Sequence, residues 1–433
     1  MSTLATDAEL MALARRLYPI CRSITGSGLR QTLRILAESI PLQMVETPSG
    51  TTVFDWEVPL EWNIRAARLL APDGDTVVDF ADHNLHIVNY SEPVAATLPF
   101  EELRARLHVS SRNPDWIPYK TSYYRRNWGF CLRERDLQRL KPGDYRVEID
   151  SSLEPGSLTY GELLLPGSSN REVLVFTHAC HPSLANDNVS GLAITTALAQ
   201  WLMDRPRRYS WRFVFAPGTI GSLCWLRNNE HNLGRVEHGL VLGLLGDPAP
   251  WTYKRSRRGD AAIDAIVPHV IRELDPQSRV IDFEPYGYDE RQLCSPGFNL
   301  PVGRLTRSVN DGYAQYHSSA DDMSLISSAA IGRSLVACKA IVEVIEGNRR
   351  YTNLLPKGEP RLGKRGLYGA MGGNSPANTE LAMLWVLNQS DGQRSLLDIT
   401  QRSGLDFETI RSVAQALESA GLLAETSSGS SSQ

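Results

Sequence analysis

The stretch from Val173 to Gly191 constrains this chain more than any other. It opens with an apolar run, Val173 to Phe176, which reads as a buried central strand. The strand leads to His178, Cys180 and His181, at the end where an α/β sheet places its chemistry. After a polar loop, Asp187-Asn188-Val189-Ser190-Gly191 opens an amphipathic helix, with Leu192, Ala193, Ala197 and Trp201 on one face. Asp187 then faces imidazoles delivered by the strand. Taken singly, an Asp before a helix is an N-cap and a strand-end His is structural. Together they are how a hydrolase holds a divalent metal.

Around this stretch, strand and helix signals alternate. Strands are expected at Thr51–Val58, Leu158–Leu165, Trp211–Ala216, Gly239–Leu245 and Val302–Leu305, with a hairpin around Asp73-Gly74. Helices are expected at Asp7–Leu17, Leu29–Ser39, Asp187–Met203, Asp260–Glu273 and Ser324–Glu346. The alternation predicts an α/β fold: a three-layer core with a mixed, largely parallel sheet. Between Ala81 and Asp150 the texture changes to short, Pro-punctuated segments dense in His and aromatic residues, which reads as a small, mostly β inserted domain. The core is thus expected to be discontinuous, 1–80 and 151–350. A Pro- and Gly-containing linker is expected at 351–378, a winged helix at 379–426 and a disordered tail at 427–433.

The 433 residues carry a net charge of −4, which does not suggest a nucleic-acid scaffold. The candidate recognition helix of the winged domain is also acidic, with Asp406, Glu408 and Glu418 against Arg411, so an interaction or dimerisation module is expected there. No apolar stretch is long enough to span a membrane, and the six cysteines are scattered without a Cys-x-x-Cys pair. A cytoplasmic protein is expected, without nucleic-acid or membrane partners, that forms any homo-oligomer through the inserted or C-terminal domain.

Two further strand ends carry metal-type residues. Asp247 follows the run Leu240–Leu245, and His317 precedes Asp321 and Asp322 across a small polar turn. Each carboxylate also fits a capping role. The basic run Lys254-Arg255-Ser256-Arg257-Arg258 offers Arg255 and Arg257 for a substrate carboxylate or phosphate.

The ordered set His181, Asp187, Asp247 and His317 resembles the di-zinc aminopeptidase superfamily, which includes glutaminyl cyclase. Asp187-Asn188-Val189-Ser190-Gly191 and Tyr316-His317-Ser318-Ser319-Ala320-Asp321 carry the likeness. Most of the chain further resembles an uncharacterised bacterial aminopeptidase-like family with an inserted domain and a C-terminal winged helix. Tyr18–Gly26, Asp55–Pro59, Cys180–Ser183, Tyr253–Arg257, Asp289–Gln292 and Cys294–Pro301 carry that likeness. The resemblance implies zinc, one or two ions, held by His181, Asp187, Asp247 and His317. His178, Asp289 and Asp321 are implied as further ligands or supports, and Tyr316 as a substrate contact. It also implies a hydrolase acting on a peptide or small amide through a metal-activated water. The alternatives are a degenerate protein that binds a metal or small acidic ligand, and amide-forming or cyclising acyl transfer. One departure bears on activity. Gly218 stands where many relatives have Glu, so the general base is expected to come from elsewhere, with Glu290 the first candidate.

Overall fold

A computed structural model describes residues 6–367 and 377–426. The expected tail, 427–433, and residues 368–376 of the expected linker lie outside these described residues. The chain divides into two compact units, Met1–Lys339 and Ala340–Gln433.

The larger unit is organised on an eight-stranded mixed sheet. Its strands follow the order Gln43–Pro48, Ser157–Leu165, Ser210–Ala216, Glu172–His178, Val236–Leu242, Val302–Thr306, Thr252–Lys254 and Arg279–Ile281. The four middle strands, from Ser210–Ala216 to Val302–Thr306, are mutually parallel. Every residue of Glu172–His178 and Ser210–Ala216 is buried, as near-continuous apolar runs in a parallel sheet should be. Helix Gly191–Met203 is buried along nearly its whole length because it is apolar on all sides. The first helix, Asp7–Leu17, starts on a capping box made by Thr6 and Glu9.

Several boundaries differ from those expected, three of them for a clear local reason. The strand expected over Thr51–Val58 is a small hairpin, Thr52–Val53 against Trp56–Glu57, because the chain turns at Phe54 with φ 57°. The helix expected from Asp187 becomes regular at Gly191, since Asp187 (φ −108°, ψ 79°) and Asn188 (φ −144°, ψ 31°) are not helical. The strand expected to reach Leu245 ends at Leu242. Beyond it, the N–H groups of Leu244, Leu245 and Gly246 donate to the Asn188 Oδ1, Ser190 Oγ and Asn186 Oδ1 atoms instead of to a neighbouring strand.

The insertion forms an antiparallel four-stranded sheet ordered Thr76–Asp79, Glu61–Leu70, Asp144–Glu154, Val94–Pro99. Its sheet therefore begins at Glu61, ahead of the expected boundary at Ala81, and its first and last strands pair with Glu61 opposite Glu154. Trp62, Leu69, Tyr145, Val147 and Ile149 fill its buried face.

The smaller unit contains helices Ala377–Gln389, Leu396–Ser403 and Phe407–Ser419 and a three-stranded sheet, the arrangement of a winged helix. Arg350–Asn353 is the middle strand, between Asp391–Ser395 and Leu423–Glu425, so the segment expected to start the linker belongs to this sheet. Ser395 and Asp398 form a capping box, Gly404 closes the second helix in the left-handed region and Asp406 caps the third. The six cysteines are free, and no helix among the described residues is long and apolar enough to cross a membrane.

Phe176 is fully buried in the central strand. Replacing it with Ala should lower unfolding stability by about 3–5 kcal/mol, read from a chemical denaturation midpoint.

Candidate metal centre

The central strand ends on His178, and the turn after it carries His181. The irregular turn Ala185–Ser190 then swings Asp187 back over the strand end. Its position is set by side chains on both sides. Asn188 donates to Thr177 Oγ1 and to the His178 carbonyl, stitching the turn to the strand. Asp321 accepts the N–H groups of Asn186 (2.6 Å) and Asp187 (3.1 Å) and the Tyr313 hydroxyl (2.9 Å). Asp321 is therefore the cradle of the Asp187 turn.

The Asp187 carboxylate is fully buried, and three imidazoles converge on it. His178 Nε2 lies 2.7 Å from Oδ1, while His317 Nε2 and His181 Nε2 lie 3.1 Å and 3.9 Å from Oδ2. The Tyr288 hydroxyl donates to Oδ2 at 2.6 Å and lies 2.9 Å from the Tyr316 hydroxyl. Burial alone would raise the Asp187 carboxyl, but His181, His178 and His317 hold it well below the usual carboxylate range. Burial pushes His181 down to about 3, with Asp187 opposing, so its imidazole is neutral at pH 7.

These residues fit a divalent metal. The donor atoms of His178, His181 and Asp187 lie within 4.8 Å of one another. Asp187 is a buried anion whose neighbours are imidazoles and tyrosines, with no ammonium or guanidinium in the set, and a buried charge requires compensation. A donor set of imidazole nitrogens and carboxylate oxygen suits zinc.

Other residues singled out in the sequence stand elsewhere. Asp247 accepts from Asn186 Nδ2, the Ala249 N–H and the Ser308 hydroxyl, because the strand stops at Leu242 and Asp247 lies in the turn beyond. Nearer to the imidazoles is Gly243, where an added Cβ would come within 3.5 Å of His178 Cε1. Glu290 is fully buried between Lys254 Nζ (2.9 Å) and Arg304 (3.3 Å). Burial would raise it, but Arg304 and Lys254 hold it low. Arg255 and Arg257 turn to Asp282 and Asn299. Asp289 is fully buried, with the Ser222 hydroxyl as a loose hydrogen-bonding neighbour, and Oδ2 lies 3.3 Å from where a Cβ on Gly218 would stand. Burial pushes it up to about 6, against the pull of His178.

Three contributors gave no signal of their own in the sequence. Tyr288 stacks on His178 at 4.2 Å, besides its bond to Asp187. Tyr119, from the insertion, lies 5.2 Å from both His181 and His317. Arg22 is fully buried and donates to the His181 carbonyl.

Removing the Asp321 cradle should disturb Asp187 before it disturbs the sheet. Asp321→Ala is expected to weaken zinc binding by about 10–100-fold in a chelator competition, as loss of a group supporting a ligand does.

Comparisons with known proteins bear on the family and the fold. Residues 11–348 match the family described as a domain of unknown function, DUF4910, and residues 349–425 match a winged helix-turn-helix. A Clostridium acetobutylicum protein, provisionally named a polysaccharide biosynthesis protein with an aminopeptidase-like domain, is 48% identical over 419 residues, covering 96% of each chain. A crystal structure from the same organism, provisionally described as a peptidase, superposes with a TM-score of 0.91 at 46% identity and covers 97% of this chain and 96% of that one. BSAP, a zinc aminopeptidase of Bacillus subtilis, shares the fold at TM-score 0.57 and 12% identity, over 79% of this chain and 96% of its own. The chain belongs to the aminopeptidase-like DUF4910 family, with a zinc-aminopeptidase fold followed by a winged helix.

Proposed function

We propose that this chain is a zinc-dependent hydrolase of aminopeptidase type, acting on a peptide or small amide. The observation that carries this reading is the convergence of His178, His181 and His317 on the buried Asp187 beyond the end of the central parallel strand. These four residues would hold the metal. Gly218, beside Asp289 and His178, stands where many relatives have Glu, and one carboxylate fewer favours one ion over two. When bound, zinc supplies a Lewis acid that polarises an amide carbonyl at neutral pH. Tyr288 keeps the Asp187 carboxylate oriented through its hydroxyl.

The proton acceptor in this reading is Asp289 rather than the Glu290 expected earlier. Glu290 is committed to two cations, whereas Asp289 meets the Ser222 hydroxyl beside the space that Gly218 leaves. The relative named for polysaccharide biosynthesis supports testing saccharide-linked amides beside peptides. A second reading, a binding protein without turnover, is favoured by the same glycine, which leaves the site short of a carboxylate.

Elemental analysis of the tag-free protein tests the metal. About one equivalent of zinc is expected, falling towards zero in His181→Ala; a native protein that takes up no zinc on addition would sink the hydrolase reading. The two acids separate in a second experiment. Asp289→Asn is expected to cut turnover about 10²–10⁴-fold with an unchanged melting temperature. Glu290→Gln strands two buried cations and should cost about 3–5 kcal/mol of stability. A folded Asp289→Asn variant with full turnover would exclude Asp289 as the base.

A further inference from the structure

His317 comes to the metal centre differently from the other ligands. His178 ends a central strand and Asp187 is stitched to that strand, but His317 lies in the long connection between Thr306 and the helix starting at Ser328. Its φ of 55° falls in the left-handed region, which a non-glycine residue keeps only where its surroundings fix it.

Those surroundings come from the insertion. Pro118 bridges to Ser318 in antiparallel fashion, with the Tyr119 N–H donating to the His317 carbonyl at 2.8 Å and the Ser319 N–H donating to the Ile117 carbonyl at 2.8 Å. The Ile117 N–H donates to Ser319 Oγ. Arg112 then closes the connection. Its Nη1 faces the carbonyls of Tyr313 (3.3 Å), Ala314 (3.4 Å) and Tyr316 (3.2 Å), and its Nη2 donates to Asp311 Oδ1 at 2.6 Å. One guanidinium thus gathers three carbonyls and a carboxylate from the segment that presents Tyr313 to Asp321, Tyr316 to Tyr288 and His317 to Asp187. The fork lets Nη2 hold the carboxylate while Nη1 faces the carbonyls, two places that the one nitrogen of an ammonium would have to serve together.

We propose that Arg112 is a positioning residue through which the inserted domain holds His317 at the metal centre, so that metal affinity depends on the insertion. This rests on the zinc reading above. Arg112 touches neither Asp187 nor the imidazoles, and it acts by fixing the backbone that carries His317. Arg112 is exposed at the surface and meets the backbone rather than a ligating side chain, so its contribution to metal affinity is about 2–5-fold, the range of an exposed ion pair.

The test compares wild type, Arg112→Ala and Arg112→Lys, each as the full chain. In metal-free protein, hydrogen exchange is followed by mass spectrometry across 311–319; zinc affinity is then measured by chelator competition and melting temperature recorded. Arg112→Ala should speed exchange across 311–319 and weaken zinc binding about 2–5-fold, with the metal-free melting temperature held within a few degrees. Arg112→Lys, which keeps the charge opposite Asp311 but not the fork, should fall between. Unchanged exchange and affinity in Arg112→Ala would overturn the proposal while leaving the zinc reading intact. So would a loss of affinity matched by a general loss of melting temperature in both variants. A wild type that binds no zinc would overturn the zinc reading and the coupling with it.

Discussion

A fully buried carboxylate met by imidazoles rather than by a lysine or an arginine is the constraint on which the large unit depends. Asp187 is fully buried, and its immediate neighbours are three imidazoles and a tyrosine hydroxyl. Holding such a group requires a fixed backbone, and the surrounding polar side chains supply it. Asn186 and Asn188 take over the hydrogen bonds of the strand that stops at Leu242, and Asp321 receives the N–H groups of the turn. The early end of that strand, the delayed start of the following helix and the burial of Asp321 follow from placing one anion there.

The neighbouring acids show how a site and its scaffold share chemistry. Lys254, Glu290 and Arg304 form a buried cluster that also ties the Tyr286 carbonyl and the Tyr288 N–H. The cluster fixes the loop that brings Tyr288 over His178 and Asp289 beside Gly218. Buried ion pairs contribute little net stability, yet breaking one leaves a stranded charge, which suits a group whose work is to keep a loop in one place.

Much of this was legible in the chain. Val173–Phe176 declared a buried strand and Asp187-Asn188-Val189-Ser190-Gly191 the turn before a helix, because apolar periodicity and local hydrogen-bonding chemistry are written residue by residue. The family likeness supplied the fold. Asp247 could not be judged, because where its strand ends depends on side chains of Asn186, Asn188 and Ser190 more than 50 residues earlier. Glu290 looked available because its partners, Lys254 and Arg304, are distant in sequence. Tyr119 and Arg112 carried no local signal at all, since their roles arise only once the insertion packs against the connection bearing His317.

The pairing of Glu61 with Glu154 has a consequence for how such a chain could have arisen. The insertion leaves and rejoins the core at neighbouring points, so its length can change without pulling the two flanking segments apart, and closing a longer loop costs only slowly growing entropy. A short turn joining those points would leave the eight-stranded sheet continuous. Its buried face shares one core with the eight-stranded sheet, so a change of length is tolerated at its outer turns rather than along that face. Where such a change reaches Tyr119, it would rewrite the wall over His181 and His317, so one ancestral scaffold could diversify its chemistry by remodelling a roof while keeping its floor.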